Sequence, residues 1–171
     1  MNALSKNYYT NAWRQIGETI PGPRAILSIS AHLVFLRTAM TVMEKPRTIC
    51  DFAGFPEELY EVKYPVPGAP ALARTAVLCH VFPDADLPVV QLSINASQPQ
   101  PFHYEIGKRL APLRDDGILI IGSGNLVHNL HAYAWGRHAV QPYSWAVKFG
   151  KQVRELLLAL QSSYRPRKAE S

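Results

Sequence analysis

Two histidines stand where an α/β chain most readily builds a reactive centre. His32 follows the short apolar run Arg24-Ala-Ile-Leu-Ser-Ile-Ser30, and His128 follows Gly117-Ile-Leu-Ile-Ile121 through Gly122-Ser-Gly-Asn-Leu-Val127. Both runs are too brief for a helix and too apolar for a solvated edge, which predicts buried strands. Neutral imidazole is a good ligand for iron and zinc, and with an ordinary pKa near ~6.5 it passes protons at neutral pH. One histidine after a strand is more often a hydrogen-bonded structural residue, so the equivalence of the two positions carries the functional reading.

Other arrangements are weaker. His131 lies three residues after His128 and can share a helical face with it, but H-x-x-H without flanking ligands is a sparse metal signal. A metal-dependent hydrolase built on that pair finds no acidic partner nearby. His80, His103 and His138 show no identifiable partner and read as surface or packing residues. Gly122-Ser-Gly124 follows a strand as a dinucleotide loop would, yet the third glycine of G-x-G-x-x-G falls at Val127 and no β-α unit opens the chain. These glycines are read as permitting a tight turn and close approach to the site. Neither a G-x-S-x-G elbow nor a phosphate loop occurs.

The elements that must hold the two histidines emerge from spacing. Tyr9, Trp13, Ile16 and Ile20 predict one face of a helix that Pro21-Gly22-Pro23 ends. The strand over 24–30 comes next, with His32 at its carboxyl end, and Thr38–Met43 is a second β-prone run. From Pro46 to Pro70 proline and glycine leave little room for regular structure, while Phe52, Phe55, Tyr60 and Tyr64 ask for burial or a ligand. A helix over about 71–82, a turn at Pro83-Asp-Ala-Asp86 and a strand over 88–94 come after it. Phe102, Ile106, Leu110 and Leu113 mark another helix whose last turn Pro112 should disturb. Gly117–Ile121 is expected to be strongly buried, and Trp145, Phe149, Val153, Leu156 and Leu160 mark a final amphipathic helix. Strands alternating with helices imply β-α-β units and a mostly parallel sheet, where ligands bind beyond the carboxyl ends of the strands.

Composition sets the frame. The 171 residues suit one domain, 47% hydrophobic and 18% charged, a globular balance. The reading places a single α/β domain over residues 1–161 and a polar tail over 162–171. The net charge of +5 comes from scattered residues, only Arg165, Arg167 and Lys168 clustering, so no nucleic-acid partner is expected. Cys50 and Cys79 form neither C-x-x-C nor a zinc spacing, and no apolar stretch reaches the ~18 residues of a membrane span. A soluble protein in a reducing cytoplasm is expected.

Beyond spacing, several ordered motifs carry a specific resemblance. Ser30-Ala-His32, Asp51-Phe-Ala-Gly-Phe-Pro56, Tyr64-Pro-Val-Pro-Gly68, Phe82-Pro-Asp-Ala-Asp86 with Pro88-Val-Val-Gln-Leu-Ser93, and Gly122-Ser-Gly-Asn-Leu-Val-His-Asn129 resemble consecutive motifs of the DOPA-type extradiol ring-cleaving dioxygenases. The resemblance runs to about Phe149. It implies a three-layer α/β fold with helices flanking a mostly parallel sheet, and non-haem Fe(II), in some members Zn(II), used to open a catechol with O₂. It makes His32 a metal ligand. His128 matches the later active-site histidine, a ligand or an acid–base group. Three facial protein ligands would leave positions open for a catecholate and O₂, and a nearby histidine takes the catechol proton.

The resemblance also implies parts with no counterpart along the chain. Met1-Asn-Ala-Leu4 resembles the family sequence that succeeds a Gly-His-Gly-Ser-Pro motif bearing another ligand. Between Arg74 and Ala76 members carry about two dozen further residues with an Asp-His-Gly motif, a length that loop insertion tolerates. A later histidine ligand lies past the last helix, whereas Ser162-Ser-Tyr-Arg-Pro-Arg-Lys168 resembles nothing in the family. A fold incomplete relative to the family is therefore expected, with an exposed sheet edge inviting a homo-oligomer. The competing reading is an inactive remnant or a non-catalytic metal-binding module.

Overall fold

The computed structural model describes residues 6–41, 77–127, 131–132 and 141–163. The chain divides into two compact units, Met1–Ser123 and Gly124–Ser171.

In the first unit helix α1, Tyr8–Thr19, starts on a reciprocal cap. The Asn7 side-chain oxygen accepts from the amides of Tyr9 (2.9 Å) and Thr10 (3.1 Å), while Thr10 Oγ1 accepts from the Asn7 amide at 3.0 Å. Four amides at a helix start lack internal partners, and this arrangement satisfies those within reach. Ile20 ends the helix in an extended conformation, as the residue before a proline prefers. Of the apolar stripe that spacing predicts, Trp13 and Ile20 are half-buried and the other two positions are not turned inward. Tyr9 and Ile16 are exposed, whereas Thr10 is buried and Trp13, Arg14 and Gly17 are half-buried. The cause is the short helix α2, Leu78–Val81. A Cβ on Gly17 would overlap the Val81 carbonyl oxygen, so the bare glycine lets α1 lie directly on the α2 backbone.

Three strands form the sheet: β1 is Ala25–Phe35, β2 is Val89–Asn95 and β3 is Ile118–Ser123. They run parallel in the order β2-β1-β3. The parallel α/β sheet with helices predicted from sequence is therefore present. β1 is central, and Ile26 pairs with Val89 on one side and Leu119 on the other. Residues in register on parallel strands share a face. Leu78 of α2 covers that row, and Ile26, Leu78 and Val89 form the buried core with Cys79, Phe82, Ala85, Leu87, Leu119 and Ile121 packed around them. Burial raises the pKa of the Cys79 thiol.

Between β2 and β3 the chain passes through α3, Gln100–Leu110, and a 3₁₀ turn, Ala111–Arg114. The change of helix type falls at Pro112, as expected where a proline removes the amide that would continue an α-helix. Gly117 then adopts φ 77° and turns the chain into β3, its carbonyl accepting from the Arg24 amide at 2.9 Å. β3 is half-buried rather than strongly buried. Among the described residues it pairs only with β1, so it is an edge strand.

The second unit contains helix α4, Ser144–Ser163. It runs past the point where the polar tail was expected to begin. Trp145, Phe149, Leu156 and Leu160 are exposed, and Trp145 stacks on Tyr143. No helix among the described residues is long and apolar enough to cross a membrane.

The α1–α2 contact makes a clear prediction. Gly17→Ala should lower unfolding stability by about 1–3 kcal/mol in urea titration, because overpacking outweighs the ~1 kcal/mol that alanine normally gains over glycine in a helix. An unchanged or raised midpoint would show that α2 yields without cost. Separately, in a Cys50→Ser background Cys79 should alkylate more slowly than a free thiol at neutral pH, the gap closing as pH rises.

Candidate active site

His32 lies where the pairing of β1 breaks. Along β3, β1 keeps an unbroken register from Ala25↔Ile118 to Ser30↔Ser123. Along β2 the register runs from Ile26↔Val89 to Ile29↔Leu92, then resumes at Val34↔Ile94 and Phe35↔Asn95. Four residues of β1, Ser30 to Leu33, therefore stand against Ser93 alone. The sequence places His32 just past a strand. Instead the strand continues through it, because Leu33-Val34-Phe35 is itself β-prone and pairs again with β2. Bulges of this kind free residues from the ladder and re-aim side chains, and they recur beside active sites. The break lies at the carboxyl end of the sheet, the end beyond which ligands of parallel α/β sheets bind.

A network of polar groups fixes this end. Leaving β1, the chain crosses the end of β2, where the Ala96 amide donates to the Phe35 carbonyl at 2.7 Å. It then returns antiparallel along the outer edge of β2 through a bridge between Met40 and Leu92. The amides of Ser93 and Thr41 donate to the carbonyls of Ala39 (2.9 Å) and Gln91 (3.0 Å). Side chains extend the ladder: the Ala39 amide donates to Ser93 Oγ at 2.8 Å and the Gln91 amide to Thr41 Oγ1 at 2.9 Å. Of the strand expected over 38–43, the part up to Thr41 is this return segment, and Val42 and Met43 lie outside the described residues.

At the tip of β2, Asn95 Oδ1 accepts from the Ser97 amide (3.0 Å) and hydroxyl (2.7 Å). His103 Nε2 lies 3.0 Å from the Asn95 carbonyl. A carbonyl only accepts, so Nε2 carries the proton of that bond. His103 thus ties α3 to β2 and is not the partnerless residue its sequence context suggests. The signal that could have found it is the alternation Gln91, Ser93, Asn95 in an otherwise apolar strand, which marks a buried polar tier rather than packing.

The remaining expected site residues separate. His128, His138 and the aromatic stretch Pro46–Pro70 lie outside the described residues, and only the backbone of His32 is described. His131 is exposed at a turn of the second unit. Among the described residues nothing lies within 4 Å of where a Cβ on Gly122 would stand, and its φ is not positive, so neither a close approach by these residues nor a tight turn requires glycine there. His80 is held by Arg14, whose Nη2 lies 3.3 Å from its Nδ1, and packs beside Trp13. It lines a cavity of about 410 Å³ with Arg14, Phe82, Asp84, Asp86 and Leu87. That cavity adjoins the turns entering β1 and β2, the opposite end of the sheet from His32. Among the described residues no three His, Cys, Asp or Glu side chains are grouped to hold a metal.

The chain has counterparts among known proteins. A 4,5-DOPA dioxygenase extradiol from Escherichia coli K12 is 43% identical over 178 aligned residues, covering 90% of this chain and 65% of that protein. The chain is similar to extradiol dioxygenases along most of its own length. A 4,5-DOPA dioxygenase extradiol from Beta vulgaris is 36% identical over 74% of the chain and 56% of its own length. A crystal structure of an uncharacterized Escherichia coli K12 protein superposes with a TM-score of 0.71 at 38% identity, over 89% of this chain and 66% of that one. The chain thus spans less than two thirds of the length of each of these relatives. No protein-family model matches it.

The polar tier offers a direct test. Ser93→Ala removes the acceptor of the Ala39 amide and should cost about 1–3 kcal/mol, the usual penalty for stranding a buried donor. Urea titration measures the loss, and faster hydrogen exchange at Ala39 locates it. No change in either would mean that the return segment is held by its backbone bonds alone.

Proposed function

We propose that this chain carries the His32 and His128 part of an extradiol dioxygenase centre that opens a catecholic ring, of the DOPA type, with O₂. The break in β1 pairing at Ser30–Leu33, at the carboxyl end of a 2-1-3 parallel sheet, is the observation that supports this reading most strongly. The names of the relatives supply the substrate class. His32 is proposed as a ligand to Fe(II) or Zn(II), and His128 as a second ligand or as the group that takes the catechol proton. Neutral imidazole suits both tasks.

A facial metal site needs three protein ligands. The described residues do not supply that set. What these residues contribute is position. The β1–β3 register runs up to Ser30 and the pairing with β2 resumes at Val34, so the interrupted segment that carries His32 is anchored at its two ends. A reducing cytoplasm as the working compartment and pairing into a homo-oligomer belong to the same proposal.

Metal content and oxygen uptake test it together. The full chain, loaded anaerobically with Fe(II), should retain about one metal per chain, the count for a single facial site. It should also consume O₂ as DOPA absorbance falls. His32→Ala should lose both while keeping the far-ultraviolet circular dichroism of the parent. Metal retention without uptake would identify a non-catalytic metal-binding module, and no retention above the variant would sink the site assignment.

A further inference from the structure

Among the described residues, two buried side-chain polar atoms in the middle of the sheet lack hydrogen-bond partners. Ser28 is fully buried and Gln91 is 3% exposed. Neither Ser28 Oγ nor Gln91 Oε1 reaches a hydrogen-bond partner, each other included. The two residues are register partners on adjacent parallel strands, so their side chains project from one face of the sheet. Toward the amino ends that face is apolar, with Val89, Ile26 and Leu119 in one row. Toward the carboxyl ends it is polar, with Ser93, Ser30 and Ser123. Ser28 and Gln91 stand at the boundary.

Native interiors rarely leave a buried hydroxyl and a buried amide oxygen both unsatisfied, and neighbouring orphans commonly share one solvent molecule. The chemistry of the pair selects the ligand. A hydroxyl offers one hydrogen and an amide oxygen offers only lone pairs. Both are neutral, with no carboxylate in the same row to favour a cation, as Ile121 is the third member. Adjacent strands run about 4.8 Å apart, so the two side chains start from neighbouring positions, and one oxygen bonded to each at about 2.8 Å can join them without a shift of either strand.

We propose that the sheet holds one ordered water between Ser28 Oγ and Gln91 Oε1, accepting from the serine hydroxyl and donating to the glutamine oxygen. This water clamps β1 to β2 immediately before the break at Ser30. It is a built-in component of the sheet and does not depend on the activity assigned to the chain.

The test combines a mutant cycle with direct detection in the unaltered chain. Ser28→Ala and Gln91→Met should each lower the urea midpoint, since each strands the opposite atom. The double variant should lose less than the two losses added together, because removing both partners strands neither. Cross-relaxation from a long-lived water to the Ser28 and Gln91 amides should appear in the parent and vanish in the double variant. If the atoms are simply unpaired, each single replacement raises the midpoint instead. That result, the absence of a long-lived water in the parent, or a crystal structure with the two side chains in direct contact would overturn the proposal.

Discussion

Everything in the first unit depends on β1 being paired on both sides. A central parallel strand has its backbone groups committed to two neighbours, and it must be apolar enough to be buried on both faces. Ile26 and Leu27 meet that demand, and the row Val89–Ile26–Leu119 beneath Leu78 provides the dry core. The same strand then does something a purely structural strand has no reason to do. It keeps its register with β3 up to Ser30, where it abandons β2 for four residues, and His32 lies within them. Breaking one ladder is tolerable because the other continues up to Ser30 and because the first resumes at Val34.

That division of labour explains why one sheet face changes character along its length. At the amino end apolar contact supplies stability without direction. At the carboxyl end Ser30, Ser93 and Asn95 are buried with directional bonds, several of them to the segment that returns along β2. Apolar packing tolerates small shifts, whereas a hydrogen bond weakens steeply when its angle is spoiled. A strand whose ladder is interrupted needs the second kind of support, and the polar tier begins where the interruption does.

Much of this was legible in the sequence. The three strands, the helix after β2, the effect of Pro112 and the position of His32 near a strand end come from apolar runs and proline, which act locally. What escaped was set by contacts between distant segments. The inward face of α1 is decided by Gly17 against Val81, and no periodicity within α1 reports on the chain sixty-odd residues later. The half-burial of β3 depends on its place at the sheet edge, which its composition does not encode. The break in β1 arises from a mismatch with β2, and Ser30-Ala-His-Leu33 read alone looks like more strand. The partner of His103 is a carbonyl, which sequence never displays.

The strand order also governs how the chain is made. β1 leaves the ribosome well before either neighbour, and β3 closes its second edge only after α3 has crossed over. Until then the most apolar strand of the sheet has at least one edge open, and its contacts are all of long sequence separation, the condition that slows folding and exposes intermediates to association. The cap on α1 and the proline-glycine turn before β1 form from neighbouring residues alone. They are the local structure available to shield the nascent strand while it waits for β2.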